Sequence, residues 1–316
     1  MSPFPAPVLR SMRLCALALT AASILPAQAA AEAQAEAEAD SWLPVGLPAA
    51  RQLDLRAAGS GHAYRIFVEA PAFPAPAAGF PVFYVLDGNA AFPVAAFLAR
   101  SVASRSEVTG YVPPVVVGIG YPGDKDFDVE ARRRDYTVAT GKPDQPADEG
   151  GADRFLDFIE REVKPLIEAR HPIDRSRQAI FGHSFGGLFV LHALFARPQH
   201  FSTYLASSPS IWWENKAVLQ GLPGLLDSGV KGVKPRIQIS VGSLEDDPPK
   251  GNYPPDSLAM IASHLMLPPA RELAGRLGSA PGWKGKLAYH ELSGEDHGPV
   301  WLPAMARGMQ FFLEQP

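Results

Sequence analysis

Apolar residues along this chain follow two different periods, and the alternation between them sets the expected architecture. Runs with strand character recur at 51–57, 62–69, 80–86, 114–120, 178–181, 203–207, 236–241 and 286–292. The first two flank Ala58-Gly59-Ser60-Gly61 and alternate apolar with polar positions, as an antiparallel pair with one wetted face does. Later runs are nearly continuous, as in Val115-Val116-Val117-Gly118-Ile119, which suits parallel strands buried on both faces. Helical spacing covers 153–170, where Phe155, Phe158, Ile159, Leu166 and Ile167 share a stripe, and also 186–196, 257–277 with a break at Pro268-Pro269, and 299–313. Strands alternating with helices predict an open, mostly parallel α/β sheet of eight strands with helices on both faces. No internal repeat or second domain boundary is evident. Residues 121–151 are polar, rich in Gly and Pro, and without a clean period, so they are expected to form a long functional loop over the carboxyl edge of the sheet.

Composition narrows the class. Hydrophobic residues make up 47% and charged residues 20% of the 316, which is globular rather than disordered. The formal charge is -4, with no block of basic residues, which argues against a nucleic-acid partner. Arg10 and Arg13 precede an apolar run from Leu14 to Leu25 and then Ala27-Gln28-Ala29. That order reads as a cleaved secretory signal over 1–29. The run is shorter than the ~20 residues a membrane-spanning helix needs, so stable membrane insertion is not expected. Residues 30–45 read as an acidic, disordered spacer, and 46–316 as the folded domain. Of 29 basic residues, two leave with the signal, so 27 face 33 acidic ones in the mature chain, a charge of -6. The single cysteine, Cys15, leaves as well. A periplasmic or secreted protein held by core packing alone is expected.

The chemistry centres on Ile180-Phe181-Gly182-His183-Ser184-Phe185-Gly186-Gly187-Leu188, a strand, a Gly-x-Ser-x-Gly turn and an apolar helix. Such a turn lifts the serine hydroxyl to the top of a sheet, and the helix start offers N–H groups to an oxyanion. A serine needs a positioned base. His192 and His200 lie in or just beyond the elbow helix, His264 in a helical pattern and His290 within a strand; His297, in Gly294-Glu295-Asp296-His297-Gly298-Pro299, follows the last strand and is the expected base. The acid is expected after the 236–241 strand, in Gly242-Ser243-Leu244-Glu245-Asp246-Asp247, with Glu245 first and Asp247 second among three adjacent carboxylates. The alternating carboxylates of 124–130 lack the glycine and final glutamate of a calcium loop, and no metal or other cofactor is expected. Trp212-Trp213 are read either as core or as an aromatic wall of the substrate cleft. Arg132, Arg133 and Arg134 beside Tyr136 form a cluster of cations expected to grip an anion.

With these motifs in place, the chain resembles the esterases of the esterase D type, most closely the periplasmic ferric siderophore (enterobactin and salmochelin) trilactone esterases. The likeness runs from about 63 to 312, through Phe80-Pro-Val-Phe-Tyr-Val-Leu-Asp-Gly-Asn-Ala90, Pro113-Pro-Val-Val-Val-Gly-Ile-Gly-Tyr121, Arg134-Asp-Tyr-Thr137, the elbow, Ser207-Ser-Pro-Ser210 and His297-Gly-Pro299. It implies an α/β-hydrolase fold, Ser184 as nucleophile, His297 as base, and an oxyanion hole from the N–H groups of Phe185 and Asn89. It also implies a small-molecule ester substrate, such as a ferric siderophore, with Arg132 as the cation contacting an anionic ligand. A general carboxylesterase acting on feruloyl-type or other esters, and a binding protein that retains the fold without catalysis, are the alternative readings.

Overall fold

The computed structural model describes residues 45–227, 234–247, 251, 254–280, 283 and 285–314. The expected signal segment and residues 30–44 of the expected spacer lie outside them. The elements below all belong to one compact unit, Ala49–Pro316.

Each expected strand run forms a strand: β1 (Arg51–Arg56), β2 (Ala63–Glu69), β3 (Phe80–Leu86), β4 (Val115–Gly120), β5 (Ile173–His183), β6 (Thr203–Ser207), β7 (Arg236–Gly242) and β8 (Lys286–Leu292). They make one sheet in the order β1-β2-β4-β3-β5-β6-β7-β8. From β4 across to β8 neighbours are parallel, while β1 and β2 are antiparallel at one edge. β5 starts at Ile173 rather than 178, because Ile173 pairs with Phe80 before an irregularity that precedes the regular register. Every residue of β3, β4, β6 and β7 is buried. Such strands need cover on both faces, and burying each Val, Leu, Ile or Phe side chain stabilises the fold by about 1.5–3 kcal/mol.

The period of two divides the cover. Tyr84, Ile180, Tyr204 and Ile239 point into the larger core, with Phe155, Phe189 and Leu273 from helices Ala152–Phe158, Phe185–Ala196 and Leu267–Ser279. On the other face Phe83 meets Phe312, and Leu205 lies against Gly308 of helix Trp301–Leu313, which packs beside helix Gly88–Ala103. The helix expected over 153–170 continues from Phe158 through a π-helical turn, Ile159–Val163, into Lys164–Glu168. The helix expected over 257–277 is two, Pro255–Ser263 and Leu267–Ser279. The break precedes Pro268-Pro269, because proline, lacking an N–H, is accepted in a first helical turn.

Residues 121–151 are not the featureless loop the sequence suggests. They contain helix Val129–Tyr136, whose first turn is closed by the Asp128 carboxylate accepting from Ala131 N–H at 3.1 Å. Its buried residues are Ala131, Arg132, Asp135 and Tyr136. A helix that buries charges shows no apolar stripe, which is why the pattern hides it.

Phe155 lies 5.1–5.5 Å, ring centre to ring centre, from Tyr64, Tyr136 and Phe189. Phe155→Ala is expected to cost about 3–5 kcal/mol of stability through the cavity it leaves. Urea denaturation would read this as a lower midpoint at unchanged slope.

Candidate active site

Each functional side chain sits just past the carboxyl end of a strand. Ser184 follows β5 with φ 59 and ψ -116, a backbone state that ordinary residues avoid. The turn is tight enough that a Cβ on Gly182 would collide with the Gly186 carbonyl, and one on Gly187 would lie 2.8 Å from the Ser207 carbonyl. These two glycines are there because backbone passes where a side chain would stand.

His297, past β8, has Nε2 3.1 Å from Ser184 Oγ and Nδ1 2.7 Å from Glu245 Oε2. The Glu245 side chain has no solvent exposure, whereas that of His297 is 44% exposed. Glu245 Oε1 accepts from Ser208 Oγ at 2.5 Å and from the Gly242 N–H, so its second oxygen is left to the imidazole. The neighbouring carboxylates have other surroundings. Asp246 accepts from the N–H groups of Met266 and Leu267 at 2.7 and 3.2 Å, at the start of the next helix. Asp247 is exposed.

Phe185 and Asn89 stand in the first turns of helices Phe185–Ala196 and Gly88–Ala103. N–H groups there have no acceptor within their own helix. Asn89 is held by its amide, which accepts from Tyr121 N–H at 2.9 Å and donates to the Tyr121 carbonyl at 3.0 Å. A Cβ on Gly186 would lie 3.5 Å from Asp87 Oδ2, so the turn after β3 abuts the elbow.

His183 lies beneath the site, its ring centre 4.7 Å from that of His297 and its Nδ1 3.2 Å from Ser207 Oγ. Burial, with the charges of His297 and Arg132 acting in the same direction, holds its pKa well below the ordinary value. His183 is therefore a neutral imidazole, and it adds no second cation beside His297.

The expected anion-gripping cluster requires correction. Arg132 is 8% exposed, its Nε 2.9 Å from Asp87 Oδ1 and its Nη2 donating to the His183 carbonyl at 3.1 Å. Arg133 pairs with Glu149 and Arg134 with Asp135. Each cation thus has a carboxylate of its own, and Arg132 is enclosed with its partner, whereas the Arg133 side chain stays 49% exposed with its guanidinium 5.7 Å from the Trp213 ring. Tyr136 is fully buried, its hydroxyl accepting from Asp87 N–H at 3.2 Å, and its ring is out of a ligand's reach. Trp212 and Trp213 form an aromatic group with Phe185 at 6.0 and 5.2 Å. Trp213 is the buried member, and half-buried Trp212 stacks on His264 at 3.7 Å.

Residues 58–290 match the family described as "Putative esterase". The chain is 37% identical over 259 residues to ferri-bacillibactin esterase BesA of Bacillus subtilis (strain 168), spanning 79% of this chain and 84% of that protein. The chain belongs to this esterase family. It hydrolyses carboxylic esters. The siderophore triacetylfusarinine C esterase of Aspergillus fumigatus is 38% identical over 247 residues, 74% of this chain and 82% of that one. Among solved structures, siderophore hydrolase EstB from Aspergillus nidulans shares 34% identity and a TM-score of 0.74, across 86% of this chain and 98% of its own.

In this esterase the serines of Ser207-Ser-Pro-Ser210 have distinct partners that the motif alone does not assign. Ser207 contacts His183, Ser208 contacts Glu245, and Ser210 Oγ lies 3.4 Å from Ser184 Oγ. Four residues with three hydroxyls at the carboxyl end of a strand were the available signal.

Glu245→Gln is expected to lower kcat by up to about 10⁴-fold, since the amide would hold His297 in the wrong tautomer. Asp247→Asn should stay near wild type, and steady-state kinetics of the two variants separates them. His183 binds a proton when unfolded but not when folded, so its contribution to stability falls as pH drops below the unfolded value near 6.5. The slope is at most about 1.4 kcal/mol per pH unit. Denaturation curves at pH 7, 6 and 5 should show this slope in wild type and its reduction in His183→Gln.

Proposed function

We propose that this esterase cleaves ester bonds of a siderophore through an acyl-enzyme on Ser184. In this reading Ser184 Oγ attacks the ester carbonyl carbon as His297 Nε2 takes the hydroxyl proton. Glu245 keeps the His297 Nδ1–H in place and stabilises the imidazolium. The N–H groups of Phe185 and Asn89 receive the oxyanion. The C–O bond then breaks, and His297 returns its proton to the departing alkoxide. Water attacks the acyl carbonyl carbon, giving up a proton to His297; the bond to Ser184 Oγ then breaks, His297 returns that proton to Oγ, and the carboxylic acid leaves. This chemistry calls for no cofactor, and a ferric ion would enter only as cargo of the substrate.

The observation that carries the reading is the continuous path from Ser184 Oγ through both ring nitrogens of His297 to buried Glu245. Support for the substrate class comes from the relatives named for siderophores, and from the aromatic group of Phe185 and Trp212 beside the nucleophile, which suits an aromatic acyl part. Arg132 and Tyr136 are not among the ligand contacts in this proposal. Residues 1–29 serve as an export signal, so the enzyme acts in the periplasm or outside the cell. Among the described residues no helix is long and apolar enough to cross a membrane.

Ser184→Ala should lower kcat by about 10⁴-fold or more with the fold intact. The deciding measurement is hydrolysis of ferric and iron-free trilactone siderophores, feruloyl esters and short p-nitrophenyl esters by the purified protein. Turnover confined to the neutral esters would replace the siderophore reading with a general carboxylesterase. Equal activity in Ser184→Ala would remove the serine mechanism altogether.

A further inference from the structure

An oxyanion hole built from two separate turns must hold their spacing to a fraction of an ångström. In this chain one proposed N–H, that of Asn89, follows β3, and the other, that of Phe185, follows β5. β3 and β5 are hydrogen-bonded neighbours with their register running to Val85 opposite Phe181. Beyond that the β3–β5 ladder ends, while the elbow keeps backbone hydrogen bonds to Ser207 and Ser210 on its other side. Asp87 and Ser184 both take left-handed φ values, 52 and 59, and from there side chains join the two turns to each other.

Arg132 spans this gap. Its Nε is in charge contact with Asp87, the residue that leads into Gly88-Asn89, although the N–H does not point squarely at the oxygen. Its Nη2 donates to the carbonyl of His183, the residue before Ser184. The guanidinium also lies 5.9 Å from the Phe185 ring and 5.3 Å from the Phe127 ring. From the same helix, four residues on, the Tyr136 hydroxyl takes the Asp87 N–H. The helix is anchored in turn by its Asp128 cap and by Gly151 N–H on the Arg134 carbonyl. A planar guanidinium can direct N–H groups at both turns at once, which a lysine ammonium cannot match.

We propose that Arg132 is a positioning residue that clamps the turn carrying Asn89 to the elbow carrying Phe185, setting the spacing of the two oxyanion N–H groups. The proposal rests on the serine-esterase reading above. It replaces the contact with an anionic ligand, because Arg132 would have to abandon buried Asp87 and the His183 carbonyl to reach one. A clamp acts on every ester alike and through kcat, since an oxyanion contact strengthens only as charge develops.

The test uses the Arg132→Lys variant and the Asp87→Asn/Arg132→Met double variant. The double variant leaves no lone buried charge, so it keeps the fold where Arg132→Met alone would strand Asp87. Active sites are counted by end-point labelling of Ser184 with a fluorophosphonate. kcat and KM are then measured on p-nitrophenyl acetate and on a ferric trilactone siderophore. We expect kcat per labelled site to fall by about 10²-fold in the double variant on each substrate that wild type turns over. Arg132→Lys should fall by about tenfold, with KM within about threefold of wild type for both variants. Unchanged kcat per labelled site would reduce Arg132 to an ordinary buried ion pair and overturn the clamp. A rise in KM confined to the siderophore, with kcat intact, would return it to ligand contact and overturn the clamp equally. A wild-type protein that neither labels nor hydrolyses any ester would sink the esterase reading and the clamp together.

Discussion

Parallel strands buried on both faces are the constraint on which this molecule depends. From β3 to β8 the ladder is parallel, so the carboxyl ends of the strands lie along one edge. Loops leaving that edge meet each other, although their residues are more than a hundred positions apart in sequence. Ser184 and His297 are 113 residues apart and 3.1 Å from contact to contact. No local preference could bring them together. The register of strands between two apolar layers does so, and the loops need only finish the placement.

That finish is made by polar groups working under desolvation. A buried carboxylate such as Glu245 is tolerable when its lone pairs are occupied, and Ser208, the Gly242 N–H and His297 occupy them. The end of β6 and the loop after it distribute their hydroxyls over His183, Glu245 and Ser184. The strained backbone of Ser184 is over-determined in the same way: its N–H donates to the Ser207 carbonyl and its own carbonyl accepts from Ser210. Strain of this kind persists only where surrounding contacts fix it.

The polar segment between β4 and β5 shows how charge organises a fold without leaving an apolar trace. Three consecutive arginines find three carboxylates, and the helix that carries them turns Arg132 and Asp135 inward while Arg133 stays exposed. Through Tyr136 and Arg132 the segment joins the turn after β3 to the elbow after β5. Removing the partner of a buried charge costs about 3–5 kcal/mol, which is why Arg132 and Asp87, their side chains 10% and 4% exposed, are locked into one arrangement.

The sequence by itself determined the eight strands, the antiparallel edge, the elbow at Ser184 and the position of His297 after the last strand. Apolar periodicity and the glycine punctuation of a tight turn are local properties, written in consecutive residues. Helix Val129–Tyr136 escaped because its inward face is Ala131, Arg132, Asp135 and Tyr136, and periodicity records avoidance of water, not pairing of charge. The sequence ranked Glu245 before Asp247 among the three adjacent carboxylates after β7, and it is Glu245 that faces the imidazole, but nothing local separated them. Adjacent carboxylates are chemically near-identical, and one turn of loop sends Glu245 to His297, Asp246 to a helix start and Asp247 to solvent. The partners of Arg132 likewise lie 45 and 51 residues away. Only the tertiary structure could decide these points, because a charge carries no mark of its partner until the chain has folded around both.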